Sequence, residues 1–314
     1  MPLQWFVGMS DWDDEPLREE LVRQVGQQLG QEDGVLVFDP SAFPKSGKQS
    51  VGVARQWCGR LGKIDNCQVA VYLGYVSGEE HTLVDMRLFL PKEWTKDKTR
   101  REKAGVPTKV RYRTRHKLCL EMLEKHGDRL PHSWIAGDDE MGRPYTFRRR
   151  LDRLNERYLL AVPSNTLIRD LETSEPPYSG RGRYPKRPWQ RVDAWVASRD
   201  NKEWTTIDVR DGAKGPLVVE IIKRRVVGRT HRRQQGHEEV LVVIRFRERD
   251  NRRVLKTDYY LSNASVDVEL AEFARVAKAE HRIEECIQRA KSEAGLADYE
   301  VRNWKGWHHH QTLS

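Results

Sequence analysis

Cysteine is scarce in this chain of 314 residues. There are four, Cys58, Cys67, Cys119 and Cys286, and none forms a Cys-x-x-Cys pair. That spacing signals neither a disulfide framework nor a cysteine zinc site, and it suits the reduced thiols of a cytosol. Also missing are a secretory apolar segment and any apolar run long enough to span a bilayer. A soluble, cytoplasmic protein with no membrane partner is therefore expected. No internal repeat or low-complexity tract is present. The tandem His308, His309 and His310 cannot turn three rings to one face, so they are read as surface residues and not as metal ligands.

Charge, by contrast, is plentiful. Lys and Arg number 56 against 47 Asp and Glu, a formal net charge of +9, and the mean hydropathy is −0.79. A basic excess spread over both halves suggests a polyanionic partner, of which nucleic acid is the commonest. A soluble basic protein without such a partner is the plainer alternative at this stage.

The apolar pattern gives the order of elements. "DDEPLREELVRQVGQQLG" places acids and Pro16 in a first helical turn and sets Leu17, Leu21, Val25 and Leu29 on one stripe. Val35 to Phe38 read as a short buried strand that ends on Asp39. Residues 67–77 and 81–91 flank "GEE" as an antiparallel hairpin. A helix at "HKLCLEMLEKHG", a short strand within 132–139, a basic helix at "RPYTFRRRLDRLNE" and a strand at 157–165 follow. That succession predicts an α/β fold, a mixed sheet with helices on its faces. Near residue 166 the character changes to a loop rich in Pro, Gly and Arg. The runs "RVDAWVAS", "EWTTIDV", "GPLVVEIIKRRVV", "EEVLVVIRFRE" and "RVLKTDYYLSN" then predict a β-rich insertion. Helix returns with Leu270, Phe273, Val276, Ile283 and Ile287 on a core stripe.

Three acids stand at suggestive places: Asp39 at the end of the first strand, Asp138 at the end of a later one, and Glu284 on the late helix. Three convergent carboxylates suit a pair of hard divalent ions, which take oxygen ligands and support phosphoryl transfer. Lys45, Lys48, Lys63 and Lys291 would then meet phosphates as point charges. Each acid has an ordinary alternative: a turn at Asp39–Pro40, a helix cap at Asp138 and Asp139, a solvated acid beside Gln288. "KSGKQS" is a weaker signal still as a phosphate loop, because it lacks the upstream glycine and Gln49 stands where Ser or Thr is needed. In the insertion, Arg181, Arg183, Lys186, Arg187 and Arg191 interleave with Tyr184 and Trp189. Such a loop fits an unstacked DNA end, with a base on the Trp189 ring, or equally a solvated basic loop that Trp189 pins to the sheet.

"VFDPSAFPKSGKQSVGVARQWCGRLGKIDNCQVAV", "WIAGDDEMGRPYTFRRRL" and "RIEECIQRAKSEAGLADYEVRNWKGWHHHQTLS" closely resemble bacterial insertion-sequence transposases. They are similar to the DDE cut-and-paste superfamily of insertion-sequence-four type, in its seven-oh-one branch, over nearly the whole chain. The resemblance implies a ribonuclease-H-like core with flanking helices, interrupted by a β-rich insertion. Residues 1–165 and 266–314 would form the two parts of the catalytic core and 166–265 the insertion. It further implies Asp39, Asp138 and Glu284 as catalytic, metal-binding acids, with Asp139 as an alternative to Asp138. Gly142 sets the register of the second acid, and Lys291, seven residues on, selects Glu284 over Glu285. The implied cofactor is Mg2+, two ions per site, with Mn2+ able to substitute. The implied partners are double-stranded DNA, as transposon ends and target, and a second copy of the chain in the synaptic complex. Ala277 and Glu280 stand where the superfamily carries a Tyr and an Arg, which leaves Arg282 as a substitute phosphate contact. Both ends are short against the family pattern. A shortened, idle copy that binds DNA or traps partners is thus the second reading expected.

Overall fold

The computed structural model describes residues 3–212, 215–247 and 253–314. The chain begins with α1 (Leu3–Met9), α2 (Glu15–Gln28), β1 (Val35–Pro44), β2 (Ala54–Cys58), β3 (Lys63–Ser77) and β4 (Glu80–Leu88). Next come α3 (Lys92–Lys96), α4 (Lys98–Lys103), α5 (Arg115–His126), β5 (Trp134–Gly137), α6 (Asp139–Gly142), α7 (Tyr145–Arg153) and β6 (Tyr158–Ala161). Then follow β7 (Leu167–Asp170), β8 (Gln190–Arg191), α8 (Val192–Ala197), β9 (Thr205–Gly212) and β10 (Gly215–Arg229). The last elements are β11 (Gln235–Arg247), β12 (Val254–Ser262), α9 (Leu270–Ser292) and α10 (Trp304–Leu313). This is a mixed α/β, ribonuclease-H-like fold. Residues 1–132 and 281–314 form one unit and residues 133–280 another, so the division falls inside α9.

In the first unit β3 is central: it pairs antiparallel with β1, β2 and β4. Val35, Leu36, Val37 and Phe38 are fully buried, as an unbroken apolar run must be when both faces of a strand are covered. Leu118, Cys119, Met122 and Leu123 of α5 are buried as well. On α2 the buried residues are Val22 and Val25, whereas Leu17 and Leu21 face solvent. The predicted stripe was therefore misplaced by part of a turn, because Val22 is spaced three residues from Val25 and not four.

The histidine triplet is corrected too. It lies on α10, and His308 and His309 are buried. The His309 ring stacks on Trp12 with centroids 3.8 Å apart, and its two nitrogens meet the carbonyl oxygens of Val7 at 3.0 Å and Trp12 at 2.9 Å. Neighbouring positions on one helix can both be buried when the helix has partners on two sides.

In the second unit β5 and β6 are parallel, with α6 and α7 as the crossover. The antiparallel succession β6, β12, β11, β10, β7, β8 follows, with β9 also on β10. The expected insertion, 166–265, lies within this unit; Glu248, the last residue of one predicted run, lies outside the described residues. Within the segment 191–198, read as a strand, Val192–Ala197 form α8 instead. Val192, Trp195 and Val196 are its buried residues, at i, i+3 and i+4, and they join the core with Ile168, Val226, Leu241 and Leu261. No disulfide joins the four cysteines, and among the described residues no helix is long and apolar enough to cross a membrane.

Candidate active site

Asp39 does not end its strand. β1 continues to Pro44, and Asp39 pairs opposite Tyr72 in the β1–β3 register. Asp39 read as a strand end because the apolar run stops at Phe38; Pro40 lacks the ladder donor but does not break the strand. It also pushes the preceding residue toward extended backbone, which here carries the strand onward. Residues opposite each other in an antiparallel pair share a face, so Asp39 and Tyr72 project to the same side. The Tyr72 hydroxyl donates to Gln311. Burial, with Tyr299 and Asp39 nearby, holds that phenol well above its ordinary pKa.

Helix α9 brings Lys291 to this strand. Its Nζ donates to Ser41 Oγ at 2.7 Å and to the Ala42 carbonyl at 3.1 Å, and it lies 4.5 Å from the centre of the Phe43 ring. Burial pushes the Lys291 pKa down, and the Asp39 carboxylate works against that shift. Glu284 stands two turns earlier on nearly the same stripe, about 10 Å along the axis. Its side chain is 70% exposed and 3.7 Å from His281. Ile283 seats this part of α9 on β3: a Cβ on Gly74 would come within 2.5 Å of Ile283 Cδ1. Arg282, the candidate substitute for the missing Arg, donates to the Gly78 carbonyl at 2.5 Å and pairs with Glu79.

The basic residues of this unit differ in how they are held. Lys45 Nζ donates to the Tyr299 carbonyl at 2.9 Å and sits 3.5 Å above that ring, and burial lowers its pKa against the opposing charge of Glu300. Lys48 is exposed, and its carbonyl accepts from Arg100 at 2.7 Å. Lys63 pairs with Asp65 at 2.9 Å. A cavity of about 320 Å³, lined by Ala42, Phe43, Pro44, Arg60, Leu61 and Lys291, opens beside the end of β1.

In the second unit, Asp138 is the N-cap of α6, accepting from the Met141 amide at 3.1 Å. Asp139 is on the exposed side of the same turn and pairs with Arg143 at 2.9 Å. Only glycine fits at 142, since a Cβ there would lie 1.8 Å from the Ala161 carbonyl oxygen. That contact locks the turn carrying Asp138 against β6. In the basic loop, Arg181, Arg183 and Lys186 are exposed, while Arg187 reaches the Thr173 carbonyl at 2.6 Å and Glu175 at 3.1 Å. Trp189 is half-buried, with the Arg169 guanidinium 4.2 Å from its ring centre.

Ser41, Tyr72, Tyr299 and Arg60 escaped the sequence reading. None carries a motif, and each acquires its place only through strand register or through the return of the C-terminal segment. Asp39 and Glu284 offer the oxygen donors that hard divalent cations take, so the donor chemistry fits such an ion. Among the described residues no three His, Cys, Asp or Glu side chains form a ready metal cage.

The chain matches the DDE superfamily endonuclease family over residues 2–216 and belongs to it. The matched segment contains Asp39 and Asp138 and ends before Glu284. Over 169 residues, 53% of this chain and 41% of the relative, it is 29% identical to the probable transposase for insertion sequence element IS701 of Microchaete diplosiphon. The chain thus spans less than half the length of that relative.

Proposed function

We propose that this protein is a DDE transposase that cleaves DNA at the ends of an insertion sequence and joins the freed 3′ hydroxyl to target DNA in cut-and-paste transposition. The observation that carries this reading is the family match over residues 2–216, which includes two of the three acids. Asp39, Asp138 and Glu284 would hold two Mg2+ ions, with Mn2+ able to replace them. Bound there, such ions supply activation of an attacking oxygen and stabilisation of a leaving oxygen. Water and then the 3′ hydroxyl serve as nucleophiles, without a covalent enzyme intermediate. Lys291 and Lys45, desolvated beside β1, suit phosphate oxygens close to the acids, and Lys48 and Lys63 suit phosphates further out. Arg181, Arg183, Lys186, Arg187 and Trp189 extend the DNA-binding surface in the second unit. Synapsis of two ends calls for a homodimer, and access to DNA places the protein in the cytoplasm.

The test is joining of a pre-nicked DNA end to target DNA with Mn2+. Wild type should join, while Asp39→Asn, Asp138→Asn and Glu284→Gln should bind DNA and fail to join. Joining by any of the three variants at the wild-type rate would remove that acid from the site.

One observation favours a second reading, an idle DNA-binding or dimerising copy: Glu284 is turned to solvent beside His281. Under that reading wild type binds DNA and never joins it.

A further inference from the structure

Trp57 on β2 and Ile64 on β3 stand directly opposite each other in antiparallel register. Their side chains therefore share one face of the hairpin. That face is open to solvent: Trp57 is 56% exposed and Ile64 59%, and Leu61 in the connecting turn is 43% exposed. The other face carries Ala54 and Cys58, both buried, which fasten the hairpin to the core. Arg55 is on the same open face as Trp57, and Arg60 is exposed in the turn. An apolar ridge bordered by cations results. The turn is also continuous with the candidate site, because Arg60 and Leu61 line the cavity that Lys291 enters.

We propose that this ridge is a wedge for duplex DNA. Trp57, Leu61 and Ile64 enter a base step beside the strand handled at Asp39 and Lys291, and Arg55 and Arg60 hold the flanking phosphates. The inference rests on the transposase reading above. Apolar side chains inserted at a base step partly unstack it and bend the duplex, and an indole offers a flat surface to the base so exposed. Bending brings a backbone phosphate toward a pocket that a straight duplex would pass by. The bordering cations favour DNA over a second protein copy, since a self-complementary contact would set Arg55 and Arg60 against their own copies as like charges, whereas cations on phosphates release counterions.

Nicked duplexes of mixed sequence, carrying 2-aminopurine at the nick, provide the test. Binding is read separately from the anisotropy of a distal dye, in Ca2+ to hold back cleavage. Wild type should bind and raise the 2-aminopurine emission. Trp57→Ala/Leu61→Ser/Ile64→Ser, all at exposed positions, should keep its melting temperature, bind about tenfold more weakly and lose the rise even at saturation. Arg55→Gln/Arg60→Gln should weaken binding and flatten its salt dependence while keeping the rise at saturation. If wild type binds without a rise, or the triple variant keeps it, the wedge is overturned and the transposase reading stands. Self-association of wild type without DNA that the triple variant abolishes would reassign the ridge to a second copy. Failure of wild type to bind any duplex would overturn both readings.

Discussion

Lys291 Nζ lies 2.7 Å from Ser41 Oγ, so the end of α9 is tied to β1 two residues beyond Asp39. A lysine half-buried against Phe43, with its charge opposed by desolvation and supported by Asp39, is a costly residue for structure alone. Lys291→Met should therefore lower the joining rate by about a hundredfold to a thousandfold, as loss of one preorganised donor does. Its stability should change by only about 1 kcal/mol. Lys291→Arg should recover part of the activity, because the charge returns with a different donor geometry. Joining assays beside melting curves check both parts. An unfolded Lys291→Met protein would make the tie to Ser41 structural.

Gly74 and Ile283 supply the second prediction. A methyl group on residue 74 meets the Ile283 side chain at 2.5 to 2.9 Å, so α9 must shift or Ile283 must change rotamer. Overpacking of this kind costs about 1–3 kcal/mol. Gly74→Ala should lower both the melting temperature and joining, since Glu284 follows Ile283 directly. Adding Ile283→Ala removes the clashing atoms and should restore part of the joining activity. Independent, additive losses in the double variant would show that this contact does not set the position of Glu284.

These contacts also show where the sequence was legible. The hairpin of β3 and β4, the helices α5, α7 and α9 and the strands β9 to β12 each carry a clear period or a clear turn, and local signals suffice for them. Residues 191–198 misled because Val192, Ala194 and Val196 alternate like a strand, while the residue that decides, Trp195, fits only a helical stripe. Asp39 was placed at a strand end because the apolar run stops at Phe38, and nothing local announces that β3 would carry the pairing on to Pro44. Of the candidate site, acids and lysines were visible as residue types. The half-buried seat of Lys291 and the hold of Tyr299 on Lys45 depend on long-range packing that no local pattern encodes.

Asp85 yields a prediction about acid stability. Fully buried, it meets His126 Nε2 at 2.8 Å, Arg18 at 2.7 Å and Arg87 at 2.6 Å. Burial alone would raise its pKa. The hydrogen bond with His126 and the charges of Arg87 and Arg18 overcome burial and hold the carboxyl well below the usual carboxylate range. A carboxylate with a depressed folded pKa contributes stability that is complete above its unfolded pKa and is lost as the pH falls below it. Asp85→Asn takes the carboxylate from Arg87 and His126 and leaves Arg18 with Asp14 alone, and should cost about 3–5 kcal/mol at neutral pH. Urea titrations should show that gap narrowing below about pH 4. An equal gap at neutral and acid pH would mean that the charge of Asp85 is not its source.

His308 acts in a different window. It is buried on α10, with Nδ1 2.9 Å from the Trp304 carbonyl, and burial pushes its pKa down from 6.5 to about 4. The unfolded chain binds a proton on this ring from about pH 6.5 downward, while the folded chain refuses it until about pH 4. Between those values the unfolded state holds more protons, so stability falls as the pH falls. The loss accumulates to on the order of 3 kcal/mol at about 1.4 kcal/mol per pH unit, and most of it precedes the Asp85 window. His308→Gln has no ring to protonate and should make the stability profile shallower between pH 6.5 and 4, with a remainder from His310, whose pKa burial also lowers, and with the loss below pH 4 still in place. Urea midpoints at half-unit pH steps separate the two groups. A wild-type profile that is flat between pH 6.5 and 4 would mean that His308 is protonated in the folded protein without penalty, and the Asp85 window would be unaffected by that result.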